Sequence, residues 1–264
     1  MGNVNTELSC MTIALGACLL TIASLKAEAH KPSYADGGNG ELGSAHLVEN
    51  IDISMVLYKE NTCESSQTWL TFTTTQAGQQ MFVQLGLPQL ERLRERRPTI
   101  AVMAPGLPAA SETTFELPFS VPEGLGVEVF ETFDVSEGRP FFEFFTGTKS
   151  WIMHESHLTL PQVGQGYVVA WFPDNTSGKL WVAIGETEDF SEEDFELASY
   201  WIEKTQAFHE EGSFFEPKDT LCANEETESA GCQNVSGLPN LLLLLGIYFL
   251  LPIRRRTIKP LGKY

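Results

Sequence analysis

Basic residues are scarce in this chain: 17 Lys and Arg stand against 35 Asp and Glu. Setting aside Glu7, Glu28, Lys26, Arg254, Arg255, Arg256, Lys259 and Lys263 near the two ends, 33 acids and 11 bases remain between His30 and Cys232, a charge of −22. Such a surface repels phosphate, which excludes a nucleic-acid partner. Cysteine is sparse too, five in all without a Cys-x-x-Cys spacing, so zinc-ribbon and thioredoxin-type chemistry drops out. No Gly-x-Gly-x-x-Gly follows a strand-like run, and the chain has neither a Walker loop nor a Gly-x-Ser-x-Gly elbow. The common nucleotide-binding and hydrolase signatures are therefore missing. Helical segments alternating with strands are absent as well, and with them the usual parallel α/β architectures.

Long apolar runs occur only at the ends. The first, 8–25, stops at Lys26 before Ala27-Glu28-Ala29. An apolar stretch followed by Ala-x-Ala is the pattern of an export signal, here 1–29, cut before His30. Its start lacks Lys and Arg, and an uncleaved anchor is the other reading. The second run, 238–253, reaches roughly 24 Å as a helix, short of a ~30 Å hydrocarbon core. Arg254, Arg255 and Arg256 follow it and mark the cytoplasmic side of a hydrophobic tail spanning 238–264. Between the ends lie a domain, 30–211, and an acidic spacer, 212–237, that contains Cys232. The expectation is an extracytoplasmic domain anchored to a membrane or cell surface, with its C terminus cytoplasmic before any processing.

Within the domain, strand-like runs recur at 51–58, 68–74, 80–85, 99–104, 127–133 and 151–160, separated by Pro and Gly. Two more, 167–172 and 180–184, flank Pro-Asp-Asn-Thr-Ser-Gly and read as an antiparallel hairpin with a longer loop. This pattern predicts a mainly β fold, an antiparallel sandwich or jelly roll in which neighbours in sequence pair. Residues 30–44 read as a flexible lead-in. Leu87, Leu90 and Leu93 predict a short surface helix over 88–97, whose four arginines face either nearby carboxylates or an anionic partner. At 191–210, Ser191 with Asp194 is a capping signature. Phe195, Ala198, Trp201, Ile202, Thr205 and Phe208 share one face of the amphipathic helix expected to close the sandwich.

Candidate chemistry is thin, and a non-enzymatic binding or accessory module is the leading reading. Residues 154–157, His-Glu-Ser-His, are one residue short of the zinc-protease motif, and on a strand His154 and His157 face opposite ways. In Phe141-Phe142-Glu143-Phe144-Phe145, alternation either buries the rings at the sandwich centre or exposes Phe142 and Phe144 to stack on sugar or dock a partner. Removing the signal leaves Cys63, Cys222 and Cys232. If Cys232 serves as the anchor, Cys63 and Cys222 can pair, closing a loop of about 160 residues; Cys222 with Cys232 is the competing pair.

The sequence Gly231-Cys232-Gln-Asn-Val-Ser-Gly-Leu-Pro-Asn, followed by leucines and arginines, resembles the Cys-containing C-terminal sorting tails of myxobacterial-type surface proteins. That resemblance implies that Cys232 is modified and that everything after it is removed. Residues 178–185 resemble the closing strands of β-sandwich domains appended to secreted bacterial peptidases. Val83-Gln-Leu-Gly-Leu-Pro, Ala104-Pro-Gly-Leu-Pro and Phe145-Thr-Gly-Thr-Lys-Ser-Trp-Ile resemble an uncharacterised family of exported bacterial proteins, without an implied activity. Finally, a mature amino terminus at His30 resembles the histidine brace of periplasmic copper carriers and polysaccharide-attacking copper oxygenases. It implies copper held by the terminal amine and ring nitrogen of His30, with His46, His154 or His157 as second ligand.

Overall fold

A computed structural model of the protein describes residues 30–35, 37–132, 138–173 and 176–212. The expected signal, the spacer after Gly212 and the tail lie outside the described residues, Cys222 and Cys232 with them. Among the described residues no helix is long and apolar enough to cross a membrane.

The fold is mainly β, two packed sheets with few helices. The first sheet runs in the order β1 (Lys31–Ala35), β3 (Met55–Asn61), β11 (Gly178–Ile184), β5 (Gln79–Pro88), β9 (Thr148–Leu160), β8 (Arg139–Glu143). The second runs β2 (His46–Leu47), β4 (Gln67–Thr74), β10 (Gly164–Trp171), β6 (Thr99–Ala104), β7 (Gly126–Phe130). Their facing sides supply one core, in which Leu57, Leu85 and Val182 of the first sheet meet Leu70, Val102 and Val168 of the second. Alternate residues of the central strands are buried on the outer faces as well. Trp181 and Ala183 pack beneath Phe208 on one side. Trp69, Val169 and Trp171 pack beneath Leu117, Phe119 and Val121 on the other.

That double burial explains a correction. The two arms read as a hairpin, now β10 and β11, do not pair: β10 sits between β4 and β6, and β11 between β3 and β5, in different sheets. Their side chains do not alternate between apolar and polar because both faces are covered, so each strand is central in its own sheet. Pairing is accordingly long-range, and among the described strands only β6 with β7 and β8 with β9 join sequence neighbours. The sheets are also mixed rather than purely antiparallel, since β1 and β2 join their edges parallel to β3 and β4.

Three other expectations change. The lead-in is not free chain, because β1 is paired along its whole length with β3 and Lys31 Nζ lies 2.7 Å from Asp194 Oδ2. The 88–97 helix reduces to a 3-10 turn at Glu91–Leu93. β5 runs on through Pro88, and Leu90 and Leu93 are anchored in the core. Arg92 there lies 3.8 Å from Glu60 and 3.7 Å from Glu211, and Arg94 lies 3.4 Å from Glu91. The closing helix is two helices, α1 (Glu192–Glu196) and α2 (Ala198–Phe208). Its capping box forms as read, with Asp194 N–H donating to Ser191 Oγ and Ser191 N–H to Asp194 Oδ2. The break at Leu197 swings Phe195 off the buried stripe into solvent, while Trp201, Thr205 and Phe208 stay inside.

Candidate functional site

The outer face of the first sheet brings hydroxyls, a histidine and aromatic rings side by side. Trp181 projects from β11 across β5, and Gly86 makes room for it: a Cβ at that position would lie 2.0 Å from the indole ring. The indole N–H donates to Ser150 Oγ at 3.1 Å, and Ser150 lies 3.0 Å from His209 Nε2. His209 Nδ1 is 2.7 Å from the Thr205 carbonyl, which only accepts, so Nδ1 carries the proton and Nε2 receives the Ser150 hydroxyl. Burial holds His209 down to about 4, against the Thr205 carbonyl, which raises it, and with the Lys179 charge, which lowers it further. This is a satisfied chain through a neutral imidazole. The serine oxygen is taken up by the Trp181 N–H and the imidazole is a weak base, so the pair is not arranged as an activated nucleophile.

Over this chain α2 covers only part of the sheet, leaving a shallow depression of about 20 Å3, room for about one water. Tyr58 and Trp181 form its floor, and Thr146, Thr148, Ser150 and Thr205 supply hydroxyls along its sides. His30 and Pro32 from one edge of the sheet and Phe141 and Phe145 from the other line it as well, so the sheet curls to bring its two edges to one place. Tyr34 Oη lies 2.7 Å from Thr205 Oγ1 and donates to the Trp201 carbonyl at 3.0 Å, and its rings stack with Tyr58 at 5.5 Å. Burial pushes the Tyr34 hydroxyl up to about 12 and raises that of Tyr58 as well, so both are neutral donors.

His30 is the one sequence-selected histidine that reaches this site. Its Nδ1 contacts Ser54 Oγ, and its Nε2 is buried without a partner among the described residues. Burial lowers it to about 4, with Glu188 opposing, so the ring is neutral at ordinary pH. The other three candidates lie elsewhere. His46 is on the edge strand β2 of the second sheet. His154 stacks on Phe130 at 4.6 Å and bonds Ser156 at 2.9 Å, whereas His157 sits against Phe82 and 2.8 Å from Glu186. The last two thus do face opposite sides. Among the described residues no group of three or more His, Cys, Asp or Glu is placed to hold a metal. A brace through His30 would need a second histidine beside it, and none of the three is there.

Phe142 and Phe144 are not in the sandwich centre, because β8 is an edge strand that pairs with β9 alone and carries Pro140, as edge strands tolerate. They are exposed, Phe144 at 74 %, and meet edge to face with centroids 4.9 Å apart. Cys63 is disulfide-bonded; the expected pairing with Cys222 falls outside the described residues. Sequence reasoning missed Ser150, Trp181 and His209. Only Gly86 in an apolar strand hinted that something bulky crosses there. Compared with models of known protein families and with curated proteins, the sequence matches none of them.

Proposed function

We propose that this chain is a non-enzymatic, extracytoplasmic binding module, tethered to a membrane or cell surface by its C-terminal tail, that takes its ligand in the depression over Tyr58 and Trp181. The observation that carries the reading is the convergence of both sheet edges on one small concavity with aromatic walls, hydroxyl groups and the uncommitted Nε2 of His30, a place to seat the polar end of a ligand rather than to enclose it whole. The disulfide at Cys63 and the resemblance of the tail support export and anchoring. Within the same reading Cys63 pairs with Cys222, and non-reducing peptide mapping decides between that pair and Cys222 with Cys232.

The test is a thermal-shift screen of purified mature protein against small polar and aromatic compounds. Hits should lose their shift in Phe145→Ala, at the rim, and keep it in Leu47→Ala, which is exposed on β2 of the other sheet. Equal shifts in both variants would move the site elsewhere. Labelling of Ser150 by a fluorophosphonate would make the protein an enzyme instead. A carbohydrate-binding reading is favoured by one observation, the exposed Phe142 and Phe144 rings, and predicts glycan-array binding lost on Phe142→Ala or Phe144→Ala. A copper reading keeps only His30, and copper titration of the processed chain against one with an added N-terminal residue tests it.

A further inference from the structure

We infer that the turn between β8 and β9 is a membrane-docking tip that enters the headgroup region of an anionic lipid surface. This goes beyond tethering through the tail and rests on Phe142, Phe144 and Lys149, which lie outside the depression that Phe145 shares with the tip. Phe142, Phe144 and Lys149 lie on the opposite side of the β8–β9 pair from Glu143, Thr148 and Ser150, which face the depression.

Phe142, Phe144 and Phe145 are 43 %, 74 % and 42 % exposed, three rings gathered on one turn. The one acid among them is withdrawn: Glu143 accepts from Phe145 N–H at 2.9 Å, Thr146 N–H at 2.8 Å and Thr146 Oγ1 at 2.5 Å. Its charge is satisfied inside the turn, which Gly147 closes with a positive φ of 71° and an N–H donated to the Glu143 carbonyl at 2.9 Å. Directly across the ladder from Phe142 stands Lys149, exposed and without an ion pair among the described residues. Arg139, farther along β8, is paired with Glu155 at 2.6 Å.

The rest of the chain is acidic enough to repel phosphate, so any contact falls to this tip, where apolar rings and an unpaired ammonium, with the carboxylate turned inward, are complementary to a surface of acyl chains beneath anionic phosphates. Lysine beside inserted rings can keep its stem with them and its charge at the phosphates. Phe142 and Phe144 stand at 84° to one another, so a sugar ring could stack on one of them at a time and not on both. Gln206 Nε2 donates to the Thr146 carbonyl at 2.8 Å, so the end of α2 is fixed beside this turn.

The experiment places a tryptophan reporter on the full-length, membrane-reconstituted chain, Phe144→Trp, with Tyr200→Trp on α2 as the exposed control. Vesicles of phosphatidylcholine and phosphatidylglycerol, with and without bromine on the acyl chains, are the probe. The inference predicts a blue shift and bromine quenching of the reporter at position 144, none at 200, and loss of the effect when Phe142→Asp or Lys149→Glu is added. Quenching at neither position, or equally at both, overturns it, as does quenching at 144 that survives both added charges. Glycan-array binding that depends on Phe144 in a chain whose reporter is not quenched would assign the rings to sugar instead. None of these outcomes bears on the depression, which the thermal-shift screen tests separately.

Discussion

The outer face of the second sheet is roofed by the 105–125 connection, whose Phe119 stands edge-on to Trp69 at 5.3 Å and to Trp171 at 5.4 Å. The outer face of the first sheet is roofed only by α2, and the uncovered remainder is where hydroxyls, a histidine nitrogen and aromatic rims collect. Both faces bury central-strand tryptophans, so apolar burial alone does not distinguish them. What differs is the roof: a connection that lays Leu117, Phe119 and Val121 on one side, and on the other an amphipathic helix that turns Trp201, Thr205 and Phe208 inward. A closed outer face stabilises; a partly open one can also bind.

The largest effects should come from the two tryptophans that floor these faces. Trp171→Ala and Trp181→Ala should each cost about 3–5 kcal/mol in chemical denaturation. Only the second should also raise the His209 pKa, because it frees Ser150, and histidine NMR titration would read this. If Trp181→Ala left His209 unchanged, the coupled chain under the depression would be wrong.

Next is pH. His30 and His209 are both held at about 4 in the folded protein, below the 6.5 of a free histidine, so between those values the unfolded state binds more protons. Their contribution is therefore complete above about pH 6.5 and is lost as pH falls toward 4, on the order of 3 kcal/mol each. His209→Gln should remove about half of that slope. Phe119 packs on Trp69 and Trp171, away from both histidines, and Phe119→Ala should leave the slope intact.

Smaller effects follow. Gly86→Ala drives a methyl into the Trp181 ring and should cost about 1–3 kcal/mol. Phe144→Ala, at an exposed tip, should stay within about 0.5 kcal/mol of the parent. A large loss there would show the rings to be structural and would undercut any docking role.

How much of this was legible in the sequence varied with the range of the interaction. β6 spans the residues its apolar run suggested, and the Ser191–Asp194 box closes as its spacing suggests, because both are local. The supposed hairpin failed for the opposite reason: nothing in 167–184 says that each arm has two other neighbours, and only the unbroken burial of β11 betrays a central strand. β1 was unreadable in Lys-Pro-Ser-Tyr-Ala, since its order comes from β3 and from Asp194, far along the chain. The site is the extreme case. Ser150 meets Trp181 across 31 residues and His209 across 59, so no motif spacing could have joined them.

The most direct test of the account compares indole N–H resonances during titration with any compound that stabilises the protein. Trp181 donates to Ser150 beneath the depression, whereas Trp69 donates to Gln67 under the closed roof of the other sheet. The account predicts that the Trp181 resonance moves and saturates with the binding curve while that of Trp69 stays fixed. Saturable binding that shifts Trp69, or that leaves Trp181 unmoved, would contradict it.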